Sequence, residues 1–71
     1  MKVQLFDSHG DHVRTFCLGE RDFDRWLDDM ADGFFETGGF AKLCNDREKI
    51  FCQDTVQSRS DLRKQIRVFA M

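Results

Sequence analysis

Along the opening residues, apolar and polar positions alternate. Val3 and Leu5 fall on one side, Lys2 and Gln4 on the other, and Phe6 closes the run, as on a half-buried strand. Asp7-Ser8-His9-Gly10 then reads as a turn, because Asp7 can accept backbone N–H bonds and Gly10 can adopt a positive φ. Val13, Thr15, Phe16 and Cys17 are strand-favouring types within His12 to Leu18, so the two runs predict a first β-hairpin.

From Glu20 the period changes. Phe23, Trp26, Leu27, Met30, Ala31 and Phe34 recur at helical spacing and form one apolar stripe. The pattern predicts a helix over Glu20–Asp32, with Glu20 and Asp22 favoured in its first turn by the helix dipole and Gly33 as its stop. Phe23, Trp26, Leu27 and Met30 are its expected core residues. Gly38-Gly39 ends that unit. Phe40 to Cys44 and Lys49 to Val56, joined by the polar turn Asn45 to Glu48, predict a second hairpin.

The last stretch fits two periods. Leu62, Ile66 and Phe69 suit a helix capped by Ser58 or Ser60, whereas Leu62, Lys64, Ile66, Val68 and Ala70 suit a strand; the helix formers Leu62-Arg63-Lys64-Gln65 favour the helix. The fold class is therefore α+β: a small antiparallel sheet of two hairpins packed on one amphipathic helix, followed by a C-terminal helix or strand.

Size changes how this fold must be held. Seventy-one residues make one domain, and a chain this short buries roughly 60% of its unfolded surface, leaving about 3–5 kcal/mol from one core. Eight Phe and one Trp are the main source of that burial, since each aromatic removes on the order of 150–250 Å² from water. A homodimer is the other source that chain length suggests. Three cysteines cannot all pair within one chain, so Cys17, Cys44 and Cys52 read as small packed thiols. No run nears the ~18 apolar residues of a membrane span, and the opening residues lack the apolar stretch of a signal peptide. The expectation is a cytoplasmic protein with no membrane partner.

Candidate chemistry is sparse. His9, His12 and Cys17 lie near Asp7 and Asp11, but no C-x-x-C spacing accompanies them, and the bland reading of turn histidines and packed thiols outweighs a metal site. Gly38-Gly39 lacks the Lys and Ser/Thr of a phosphate loop. A chain this short rarely builds a water-excluding cleft for a cysteine nucleophile. The sequence points to a non-enzyme without cofactor or metal.

Charge is distributed unevenly. Residues 1–40 hold four basic against nine acidic side chains, residues 41–71 seven against four. Ordinary solubility accounts for such a pattern, and two surfaces offer more. Asp24, Asp28, Asp29 and Asp32, with Glu36 beyond, give the predicted helix an acidic face that a basic groove on another protein would complement. Phe34, Phe35 and Phe40 crowd a glycine-rich bend beside it, where exposed Phe would anchor an interface and buried Phe would only close the core. Alternatively Arg59, Arg63, Lys64 and Arg67 form a basic stripe that could follow nucleic-acid phosphates. The sequence pI near 5.5 and the lack of aromatics among those residues weigh against it. Binding to another protein is thus the preferred expectation, as an inhibitor or adaptor of the kind phages and mobile elements carry, an analogy of size and charge alone. A small nucleic-acid-binding regulator is the alternative.

Overall fold

The computed structural model describes residues 1–45 and 55–69. Strands β1 (Lys2–Phe6) and β2 (His12–Cys17) are followed by helices α1 (Arg21–Asp29) and α2 (Ala31–Glu36), strand β3 (Phe40–Cys44) and helix α3 (Arg59–Phe69). The result is an α+β fold with a three-stranded antiparallel sheet in the order β2-β1-β3.

The first hairpin forms as its turn chemistry requires. One Asp7 carboxylate oxygen accepts the N–H groups of both His9 and Asp11 at 2.9 Å, and Gly10 turns the chain at φ 86°. The register then slips between Leu5 and Phe6: Leu5 pairs with Arg14 but Phe6 with His12, so Val13 is an extra residue on β2. β3 adds to the other side of β1 with Val3 opposite Leu43 and Leu5 opposite Ala41. These buried residues, together with Phe16, form the inner face of the sheet. None of the sixteen strand residues is acidic; all ten described carboxylates lie in helices, turns and connections.

The second hairpin is present in part. Its turn and return strand fall mostly on residues 46–54, outside the described residues, and its described end, Val56, exchanges two 2.8 Å backbone hydrogen bonds with Ala41. The sequence reading did not foresee that β3 would join the first hairpin by pairing with β1. The ambiguous C-terminal stretch is a helix, as the central helix formers favoured. Ser58 caps it, its hydroxyl accepting the Asp61 N–H at 3.2 Å, and Leu62 buries completely.

The long stripe helix is corrected to two helices. Its backbone leaves helical geometry at Met30 (φ −121°, ψ −17°), the last turn of α1 carries Asp28 and Asp29 with no basic residue, and that end of a helix disfavours carboxylates. The break turns Ala31 fully inward and leaves Met30 63% exposed, against the expectation that Met30 packs in the core. Gly33 is not the stop either; it lies inside α2. The left-handed position is Gly38 (φ 93°), and Gly39 is required for a different reason, since a Cβ there would stand 2.6 Å from the Phe34 ring.

Phe23, Trp26 and Leu27 behave as expected and join Phe16 in the core, with Phe16 and Trp26 ring centres 5.7 Å apart. Among the described residues the core holds no charged or polar side chain. Of the cysteines expected to be packed, Cys44 is buried and Cys17 is exposed; Cys52 lies outside the described residues. Among the described residues no helix is long and apolar enough to cross a membrane.

Candidate functional site

Breaking the helix at Met30 opens a groove beside the sheet. Val13, the extra residue of the bulge, and Met30 line it together with Trp26, Leu5 and Phe34, and Asp29 and Arg14 add charge. Its volume is about 590 Å³. Val13 is 56% exposed, which makes it and Met30, with Val68 of α3, the large apolar groups left in water among the described residues. Part of its lining belongs to the aromatic cluster of the core. Phe34 meets Trp26 edge-on at 5.6 Å and Phe35 at 5.4 Å, while the Arg14 guanidinium lies 4.2 Å over the Phe16 ring and reaches Asp22 at 4.0 Å.

The predicted acidic face is exposed, but it is not free as a unit. Arg63 donates to Asp28 at 3.0 Å and Arg59 approaches Asp32 at 3.4 Å. Two residues four apart on α1 and α2 thus meet two residues four apart on α3, running the opposite way. One step further along the same register come Asp24 and Arg67, which line one shallow groove over Phe23, Leu27 and Ile66. The two surfaces that the sequence sets against each other as rival binding faces are therefore each other's partners along one seam. Asp29 and Glu36 lie outside it, Asp29 at the Met30 groove and Glu36 beside Phe35 and Arg59. Of the basic stripe, Lys64 stays outside the seam.

The three phenylalanines are half-buried and separate into two places. Phe34 and Phe35 pack against Trp26, closing the core while Phe34 also lines the groove. Phe40 is on the outer sheet face, stacked on Phe6 at 5.2 Å with Lys42 Nζ 5.6 Å from the Phe6 ring. They do not form a common anchor.

Among the described residues no cluster of three or more His, Cys, Asp or Glu side chains is placed to hold a metal ion. His12 instead shares a 2.6 Å hydrogen bond with Thr15, and the Cys44 thiol donates to the Lys2 carbonyl at 3.6 Å.

Sequence reasoning missed Val13 and Met30. The bulge that exposes Val13 has no residue signature here, whereas the exposure of Met30 had one: two carboxylates immediately before it and a small Ala after it, at the turn where one residue of the pair must face inward. Comparison with known protein families, with characterised proteins and with solved structures returns no match to this chain.

Proposed function

We propose that this chain is a non-enzymatic protein-binding domain, an inhibitor or adaptor, which receives an apolar segment of its partner in the groove between Val13 and Met30. The observation that carries this reading is the exposure of both flanking side chains over an aromatic floor. A domain with so small a margin of stability gains nothing from holding a Met and a Val in water unless another surface covers them. Trp and Phe on the floor are residue types that anchor interfaces. Seven carboxylates against two guanidiniums over residues 20–36 give the surroundings an acidic bias that the Arg59 and Arg63 pairings only partly offset. A basic partner is the complement.

Nucleic-acid binding through α3 is the weaker reading, since Arg59 and Arg63 are engaged by Asp32 and Asp28. Met30→Asp tests the preferred one. Tagged wild-type and Met30→Asp protein, incubated with nuclease-treated lysate, are compared by mass spectrometry, with Lys64→Ala/Arg67→Ala as a control. A protein captured by the wild type and the control but lost with Met30→Asp is the expected result. Equal capture by Met30→Asp, with its melting temperature unchanged, excludes the groove.

A further inference from the structure

The groove is bordered by a sheet edge, and the hydrogen-bond phase of that edge can be worked out. The Leu18 N–H donates to the Met1 carbonyl at 3.1 Å, one step beyond the Lys2–Cys17 pair. In an antiparallel ladder bonded pairs alternate, so Phe16 and Arg14 direct their backbone groups toward β1, and Thr15 and Cys17 direct theirs away from it. The other side of the sheet obeys the same phase, with Ala41 facing outward and taken by Val56. On β2 the Cys17 carbonyl accepts the Glu20 N–H at 3.3 Å. The Thr15 N–H and carbonyl and the Cys17 N–H have no partner among the described residues.

We infer that the partner binds as an extended strand added to the outer edge of β2, with apolar side chains at alternate positions and Lys or Arg flanking them. This rests on the groove reading above and specifies its occupant. The Thr15 and Cys17 edge groups hydrogen-bond the incoming backbone. Residues of that strand opposite Arg14 and Phe16 point to the helix side of the sheet, the side on which Val13, Trp26 and Met30 form the groove. Arg14 belongs both to that groove and to the smaller dent between Asp22, Arg25 and Asp29, so edge and pockets are continuous. The flanking charges follow from α1, which contacts β2 and carries four Asp against two Arg. A second copy pairing through β2 would bring two such acidic helices to one seam; a basic peptide meets attraction there instead.

The experiment pans a displayed library of random twelve-residue peptides on wild-type protein, then measures the enriched peptides by fluorescence anisotropy against wild type, Thr15→Pro and Met30→Asp. Thr15→Pro removes an N–H that the β1–β2 ladder does not use, and proline is tolerated on an edge strand in that position; circular dichroism verifies its fold. Amide hydrogen exchange at Thr15 and Cys17 of the wild type gives a second reading that needs no variant. The expected result is enrichment of alternating apolar residues flanked by Lys or Arg, loss of about tenfold or more in affinity with either substitution, and slowed exchange at both amides on binding. Peptides with helical spacing, or binding lost with Met30→Asp while Thr15→Pro and both amides are unaffected, overturn the strand addition and leave the groove reading standing. Enriched peptides indifferent to both substitutions, or no enrichment at all, overturn both. Slowed exchange without peptide in a dimer seen by sedimentation makes a second copy the occupant and overturns the inference.

Discussion

β2 and β3 flank the same central strand, yet they end the sheet in different ways. On the far side of β3, Val56 takes both outward backbone groups of Ala41, and α3 settles above through Leu62. On the far side of β2, the backbone meets no strand among the described residues, a bulge displaces Val13, and the neighbouring helix breaks so that Met30 turns to water. One side of the domain is built to be closed and the other is built with an opening. Natural sheets blunt their edges with bulges and charges, and here the bulge and Arg14 do that while leaving the backbone at Thr15 reachable. The difference teaches that exposure in this fold is positional: Val56, beside β3, is buried, and Val13, on β2, is left out.

The sharpest test of that contrast is Leu62→Ala. A fully buried leucine costs about 2–5 kcal/mol on truncation, comparable to the whole stability expected of a domain this size, so urea titration should find the variant largely unfolded without denaturant. Gly39→Ala comes next. Its Cβ would meet the Phe34 ring, and the overpacking should cost about 1–3 kcal/mol by the same measurement. Asp28→Ala and Arg63→Ala, combined in a double-mutant cycle, should couple by about 0.2–1 kcal/mol, weakening in 1 M salt, because both side chains are mostly in water. Met30→Ala should change stability least, within about 0.5 kcal/mol. If it destabilises as much as Leu62→Ala, the open side is a second core and the contrast collapses.

Much of the local structure was legible in the sequence. The alternation of Val3 and Leu5 and the Asp7–Gly10 turn are local signals that produced the first hairpin, and the helical spacing of Phe23, Trp26 and Leu27 produced α1, which ends at Asp29 rather than Asp32. The open side was not, because it is made by long-range choices. Sheet order decides that β2 is an edge, the register slip decides that Val13 is extra, and the kink decides between Met30 and Ala31. None of these is encoded in the period of one segment. The charges show the same limit: Asp28, Asp32, Arg59 and Arg63 were each recognised as surface residues, but their mutual pairing depends on where α3 lands.

The absence of carboxylates from the strands has one more consequence. With every described acidic group off the strands, the outer face of the sheet around Lys2 and Lys42 carries positive charge alone among its described strand residues, while residues 20–36 carry the acidic excess. A cationic partner is attracted by the carboxylates of residues 20–36 and repelled by the outer face of the sheet, so that the association rate, more than the lifetime of the complex, should carry the dependence on ionic strength.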